Sequence, residues 1–125
     1  MTNKPKILLI EDDPDQIFLY QSKFEIEGFE FFSVRTGSEG LKIAKTKNPD
    51  LILLDLVLIA ESGIDVLADL KKDPATESIP VIILTNLVKE DIIEKTKKLG
   101  TADFIVKANM MPLEVVQRVR KILKK

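Results

Sequence analysis

The chain has 125 residues, of which 45% are hydrophobic and 31% are charged, and its formal net charge is −1. These values are typical of one globular domain, and a chain of this length buries roughly two thirds of its unfolded surface. A net charge so close to zero provides no overall field that would attract nucleic acid or an anionic membrane. We therefore expect residues 1–125 to form a single domain that binds neither directly.

Two residue types with distinctive chemistry are missing from the sequence. The chain contains no Cys and no His, which excludes disulfides, thiolate nucleophiles and zinc sites built from these ligands. Any bound metal should be a hard cation held by oxygen atoms, Mg²⁺ or Mn²⁺. Residues 1–6 lack the apolar core of a signal peptide, and no apolar run is long enough to span a bilayer. We expect a cytoplasmic protein.

The first part of the chain is predicted to contain a strand, a helix and a second strand. Residues 6–10 form a short apolar run. Asp13 is typical of an N-cap, because a proline follows it and Gln16 stands where a capping box requires an amide or acid. That helix should end at Gly28, and the aromatic and β-branched residues 29–34 indicate a strand.

The middle of the chain is predicted to contain two helices on either side of a buried strand. A capping box at Thr36 opens a helix that continues to about residue 47. The four apolar residues 51–54 follow a Pro-Asp turn, which is typical of a strand buried on both faces. After a loop, Ser62 should cap a helix that stops before Pro74.

The last part of the chain is predicted to contain two further strands, each followed by a helix. Residues 81–85 form a strand, and a charged amphipathic helix over residues 89–99 is closed by Gly100. The final strand ends at Lys107, and Pro112 opens the final helix. Strands that alternate with helices predict a parallel sheet with helices on both faces. We therefore predict an α/β fold, a flavodoxin-like doubly wound (βα)5 domain with strand order 2-1-3-4-5.

Polar side chains follow four of the predicted strands at their carboxyl ends, where open parallel sheets bind ligands. Glu11 and Asp12 follow the first strand, Asp55 the third, Thr85 the fourth and Lys107 the fifth. Three converging carboxylates cannot all ionise comfortably without a cation. Lys107 offsets one charge, and one Mg²⁺ would balance the rest. An aspartate in such a site can accept a phosphoryl group as an acyl phosphate, with Mg²⁺ and the Lys107 and Thr85 side chains stabilising the transferred charge.

These residues resemble the signature positions of bacterial two-component response-regulator receiver domains. The resemblance covers essentially the whole chain and includes Gly63, which lies eight residues after Asp55 as in the loop of that family. A stand-alone, chemotaxis-regulator-like receiver without an output domain is the closest description.

The resemblance implies a function for each of these positions. Asp55 would be phosphorylated by a sensor histidine kinase or phosphotransfer protein, and the donor histidine must come from that partner because this chain has none. Glu11, Asp12, Asp55 and the backbone carbonyl of Val57 would hold Mg²⁺. The switch residues would be Thr85 and Phe104, which pass the change to a downstream target protein through the face formed by the fourth helix, fifth strand and fifth helix. The resemblance leaves open a homodimer through that face.

Several positions depart from the usual pattern of that family. Leu58 and Ile59 replace its Met-Pro pair, Ala108 replaces a proline, and Phe104 replaces a more common tyrosine. In addition, Val57 and Leu87, at the positions that line the path of attacking water in receivers, are apolar and cannot orient it. We therefore hypothesise slow intrinsic loss of the phosphoryl group.

Other functions fit the sequence less well. A flavodoxin or nucleotide enzyme would need a phosphate-binding loop, and neither G-x-G-x-x-G nor G-x-x-x-x-G-K-[ST] is present. An aspartate-nucleophile phosphatase would need an acid where Val57 stands. We expect no enzyme beyond self-catalysed phosphorylation and dephosphorylation. The remaining alternative is a receiver fold that docks proteins without being phosphorylated.

Overall fold

The computed structural model describes residues 4–124 and contains one five-stranded parallel sheet with the strand order β2-β1-β3-β4-β5. The predicted strand order is therefore confirmed. The order changes direction between β1 and β3, which are hydrogen-bonded neighbours with Ile10 opposite Leu54. The strands are β1 (Lys6–Ile10), β2 (Glu30–Val34), β3 (Leu51–Leu54), β4 (Val81–Thr85) and β5 (Asp103–Val106).

In the described part of the chain, four helices connect successive strands, and a fifth helix follows β5. None of the helices within residues 4–124 is long and apolar enough to cross a membrane. A short 3₁₀ turn, Lys107–Asn109, follows β5. The helices are α1 (Pro14–Ile26), α2 (Gly37–Lys47), α3 (Gly63–Lys72), α4 (Glu90–Leu99) and α5 (Pro112–Leu123).

The sheet separates two hydrophobic cores because successive side chains of a strand point to opposite faces. Ile7 and Leu9 pack in one core with the buried residues of α1 and α5, such as Phe24 and Val119. Leu8 and its neighbours Ile10, Ile52 and Leu54 pack in the other core with residues of α2 and α3. With both faces covered, β1, β3 and β4 are almost entirely apolar, which explains why their sequences show no polar alternation.

The predicted helix starts are largely confirmed. The Asp13, Thr36 and Ser62 side chains accept hydrogen bonds from the first turns of α1, α2 and α3. The capping box at Gln16 is wrong, because the backbone N–H of Asp13 donates to Glu11 Oε2 at 3.2 Å. Glu11 therefore accepts the hydrogen bond that we assigned to Gln16.

Two strand boundaries differ from the sequence prediction. Phe29 lies outside β2, because its N–H donates to the Phe24 carbonyl at 3.0 Å and completes the end of α1. Lys107 lies outside β5 and begins the 3₁₀ turn. That turn is stabilised by the Ala108 N–H, which donates to Asn86 Oδ1 at 2.9 Å. The side chain of Lys107 thus leaves the sheet at its carboxyl edge.

Candidate functional site

A cleft of about 480 Å³ lies at the carboxyl edge of the sheet. It forms where β1, β3, β4 and β5 end, so the loops that follow these strands supply its walls. The structure brings together the side chains that we predicted to converge there. The five predicted residues that line it are Glu11, Asp12, Asp55, Thr85 and Lys107.

The ammonium group of Lys107 joins two of the carboxylates. Lys107 Nζ donates to Asp55 Oδ2 at 2.8 Å and also forms an ion pair with Glu11 Oε1. The three side chains are nearly buried, with exposed fractions of 10% for Lys107, 8% for Asp55 and 2% for Glu11. Lys107 balances one of the two charges, and Asp12 adds another at the same cleft.

Burial and charge shift the pKa values of this cluster. Burial raises the pKa of Glu11, an effect that the hydrogen bond from Lys107 opposes and the nearby Asp55 charge reinforces. For Lys107, burial alone would lower the pKa, but the hydrogen bonds and charges of Asp55 and Glu11 outweigh it and raise the pKa. Lys107 is therefore charged at neutral pH, and the site has an unbalanced negative charge.

Backbone contacts fix the position of Asp55. Its N–H donates to the Ile10 carbonyl at 3.1 Å, and its Oδ1 accepts from the Val57 N–H at 3.1 Å. Gly63 packs against the strand end, where an added Cβ would lie 2.5 Å from the Asp55 carbonyl oxygen and 2.4 Å from Leu56 Cα. Only glycine fits there. The carboxylate of Asp55 is thus held at the floor of the cleft.

Asp12 makes different hydrogen bonds from Glu11 and Asp55, which both accept from Lys107. Its Oδ2 accepts a hydrogen bond from the backbone N–H of Ile59, in the loop after β3. Its backbone carbonyl accepts two hydrogen bonds from the Arg35 guanidinium, at 2.7 and 3.1 Å. Arg35 and the Ile59 N–H were not predicted as part of the site.

The acidic side chains of the cleft are candidate ligands for a metal ion. Three carboxylates that line one cleft are an all-oxygen donor set, which suits a hard divalent cation. Within residues 4–124, however, no three acidic side chains are grouped closely enough to hold a metal ion as they stand. Lys107 contacts Glu11 and Asp55, and the Ile59 N–H donates to Asp12. Mg²⁺ needs only one or two carboxylates, so the all-oxygen donor set of the cleft fits the ion.

The two predicted switch residues lie on neighbouring strands. Thr85 is fully buried at the end of β4, and its hydroxyl accepts from the Leu87 N–H at 3.2 Å. Phe104 pairs with Ile83 in the sheet register and is half-buried on the face covered by α2, α3 and α4. The structure thus places Thr85 in the cleft and Phe104 at the edge of the hydrophobic core that contains Ile83. Their roles in switching stay predictions.

Other residues of the cleft were missed or assigned otherwise from the sequence. Gln16, which we treated as a capping residue, lines the cleft, and so does Asn86. Val57 and Leu87 line it as expected. The loop after β3 is closed by a bridge between Val57 and Ser62. Gln16 could have been found from its position one turn after the acidic pair.

Comparison with known protein families assigns the chain to a class. Residues 7–120 match the family model described as the response regulator receiver domain. The chain therefore belongs to the receiver domain family of response regulators, and the resemblance inferred from Glu11, Asp12, Asp55, Thr85 and Lys107 is confirmed at the level of the family.

Two curated response regulators are similar to the chain over most of its length. The chain is 33% identical over 121 residues to the phosphate regulon transcriptional regulatory protein PhoB of Rhizobium meliloti, covering 97% of this chain but 53% of PhoB. It is 32% identical over 106 residues to the polar-differentiation response regulator DivK of Brucella suis, covering 85% of this chain and 86% of DivK. The chain thus spans about half the length of PhoB and most of DivK.

One similar solved structure is that of a response regulator with a bound metal ion. The Mn²⁺-bound form of the response regulator Rcp1 superimposes with a TM-score of 0.80 and 28% sequence identity. The match covers 93% of this chain and 91% of the Rcp1 chain.

Proposed function

We propose that this receiver domain is the phosphoacceptor of a two-component phosphorelay and that Asp55 is the accepting residue. The observation that carries the proposal is the contact between the Asp55 carboxylate and the Lys107 ammonium at 2.8 Å, at the floor of a cleft that Thr85 also lines. A carboxylate that lies beside a cation and a hydroxyl at an open cleft can accept a phosphoryl group whose charge these neighbours then stabilise.

In the proposed reaction the donor is a phosphohistidine of a sensor histidine kinase or phosphotransfer protein. A carboxylate oxygen of Asp55 forms a bond to phosphorus, and the P–N bond to the donor imidazole breaks with its electron pair returning to nitrogen. A proton from solvent then converts the departing imidazolate into neutral imidazole. Lys107 moves its hydrogen bond from the carboxylate to an equatorial phosphoryl oxygen, and the Thr85 hydroxyl donates to another. The chain is thus a substrate of its partner and no enzyme beyond this self-catalysed chemistry.

The proposal includes a divalent cation, Mg²⁺ or Mn²⁺. Glu11, Asp12, Asp55 and the Val57 carbonyl would hold it, and the cation would neutralise charge on the transferring phosphoryl group. The oxygen-only donor set and the Mn²⁺-bound form of the related Rcp1 support this.

We further propose that phosphorylation changes a protein-binding face. Thr85 lies at the end of β4 and Phe104 on the neighbouring strand β5, so a shift of the Thr85 hydroxyl toward the phosphoryl group can alter the packing of Phe104. The face formed by α4, β5 and α5 would then bind a downstream protein or a second copy of the chain. We also propose that the chain acts in the cytoplasm, where its kinase would phosphorylate it.

A second candidate is a receiver fold that docks proteins without phosphorylation. The positions that depart from the usual receiver pattern, Ile59, Ala108 and Phe104, favour it. Such a module would neither bind Mg²⁺ nor accept a phosphoryl group.

Intact mass spectrometry separates these functions. The protein is incubated with Mg²⁺ and acetyl phosphate, alongside Asp55→Asn and a control, Asp65→Asn, which changes an exposed aspartate of α3. We expect one phosphoryl group on the parent and on Asp65→Asn and none on Asp55→Asn. Equal labelling of Asp55→Asn would reject Asp55 as acceptor. No labelling of any protein by acetyl phosphate or by a phosphorylated kinase would favour docking.

A further inference from the structure

The loop after β3 is hydrogen-bonded directly to a predicted metal ligand. The Ile59 N–H donates to Asp12 Oδ2, although the two residues are 47 positions apart in the chain. The side chain of Ile59 plays no part in this contact, because it is 85% exposed. The bond therefore depends on the backbone of residue 59 alone.

Contacts at both ends of the loop keep the Ile59 N–H at this position. At the far end, Glu61 Oε2 accepts from the Gly37 N–H at the start of α2, at 2.8 Å. The Gly63 N–H donates to the Leu56 carbonyl at 3.0 Å and brings the two ends of the loop together. On the other side, Arg35 holds the backbone of Asp12. Donor and acceptor are thus each positioned independently of their mutual bond.

We propose that the Ile59 N–H competes with a divalent cation for the Asp12 carboxylate, so that the Asp12–Ile59 hydrogen bond acts as a latch on the metal site. The inference rests on the phosphoacceptor function proposed above and adds a regulatory element to it. Without metal, Asp12 is turned to residue 59 and the loop over residues 57–61 is closed. Cation binding takes the carboxylate away from Ile59 and leaves the Ile59 N–H without this acceptor.

The strength of the Asp12–Ile59 hydrogen bond determines how far it lowers the apparent affinity for the cation. A hydrogen bond to an ionised carboxylate changes an equilibrium constant by roughly 10- to 150-fold. A closed state favoured by this amount reduces the apparent affinity for the cation by the same factor.

A substitution that removes only the N–H tests the latch. Ile59→Pro has no backbone donor, whereas the matched control Ile59→Ala keeps the donor and loses only the exposed side chain. We expect Ile59→Pro to bind Mg²⁺ about tenfold more tightly than the parent in calorimetric titrations. The affinity of Ile59→Ala should stay within about twofold of the parent, because its hydrogen bond is intact.

The amide resonance of Ile59 in the unaltered protein gives a second test that does not depend on the folding of a variant. In the metal-free protein this amide proton should exchange slowly with solvent, and Mg²⁺ should shift its resonance and speed its exchange. Equal Mg²⁺ affinity of folded Ile59→Pro and the parent, or an Ile59 amide unaffected by bound Mg²⁺, overturns the latch alone. If Mg²⁺ binds none of the proteins, the proposed metal-dependent function fails and the latch fails with it.

Discussion

The Lys107 ammonium lies 2.8 Å from Asp55 Oδ2 and also pairs with Glu11, so one cation is shared by two nearly buried carboxylates. Residues 55 and 107 directly follow β3 and β5, which are not adjacent because β4 lies between them. The contact therefore connects the predicted acceptor to the residue that follows the edge strand β5. It also makes Lys107 the main counter-charge of the site without metal.

Replacing Lys107 should destabilise the metal-free protein. Lys107→Met leaves the Asp55 and Glu11 charges without this partner, and breaking a buried pair costs about 3 kcal/mol. Urea unfolding in the presence of a chelator measures the loss. The control Lys95→Met removes an exposed lysine of α4 and should change the free energy of unfolding by less than about 0.5 kcal/mol. A similarly small loss for Lys107→Met would contradict the shared ion pair.

The raised pKa of Glu11 makes stability depend on pH. Because burial, the largest cause, raises the pKa of folded Glu11 above its usual value of 4.5, the folded state binds more protons than the unfolded state between the two pKa values. The free energy of unfolding contributed by this group therefore falls as pH rises from 4.5 through the folded pKa. Glu11→Gln cannot ionise and escapes this loss.

We expect the stability of Glu11→Gln relative to the parent to be higher at pH 7 than at pH 4, both without metal. Urea titrations at the two pH values give the difference, and Glu94→Gln, an exposed acid of α4, serves as control. Parallel stability curves for the parent and Glu11→Gln would show that the pKa of Glu11 is not raised.

Gly63 should tolerate no side chain. The Cβ of Gly63→Ala would lie 2.5 Å from the Asp55 carbonyl oxygen, so the backbone of the acceptor must shift, and overpacking of this kind costs about 3 kcal/mol. Gly100→Ala is the control, because its φ of +95° is strained but open space surrounds it. That change should cost about 1 kcal/mol. Thermal unfolding compares the two, and a smaller loss for Gly63→Ala than for Gly100→Ala would contradict the close packing.

The phosphoryl group on Asp55 should be lost slowly. Val57 and Leu87 line the cleft and cannot orient an attacking water. Val57→Asn should shorten the lifetime by about tenfold or more, measured by intact mass after removal of the donor. Gln16 also lines the cleft, so Gln16→Ala tests whether its amide orients water instead. A lifetime of seconds for the parent would reject the hypothesis, and a longer lifetime for Gln16→Ala would assign water positioning to Gln16.

Much of this fold could be predicted from its sequence because local signals and burial agree. Runs such as residues 51–54 are apolar on both faces of the sheet, and Asp13, Thr36 and Ser62 mark helix starts by their own side chains. The strand order followed from the alternation of strands and helices. Once that order is set, the polar residues after β1, β3, β4 and β5 must meet at one edge.

The contacts that could not be predicted are mostly made by backbone groups. Every residue except proline carries an N–H, so nothing in the sequence indicates that the donor to Asp12 is Ile59. The same holds for the Asp13 N–H, which donates to Glu11 and replaces the predicted contact of Gln16. Both depend on loop conformations that side-chain patterns do not specify.

The most direct measurement of the central claim traps the phosphoryl group chemically. Borohydride reduces an acyl phosphate to an alcohol, so it converts a phosphorylated aspartate into homoserine, which peptide mass spectrometry locates in the chain. After treatment with Mg²⁺ and a phosphodonor, we predict homoserine at position 55 and at no other aspartate. Homoserine at another position, or an unmodified residue 55 in a protein that has gained a phosphoryl group, would contradict the assignment of Asp55 as the acceptor.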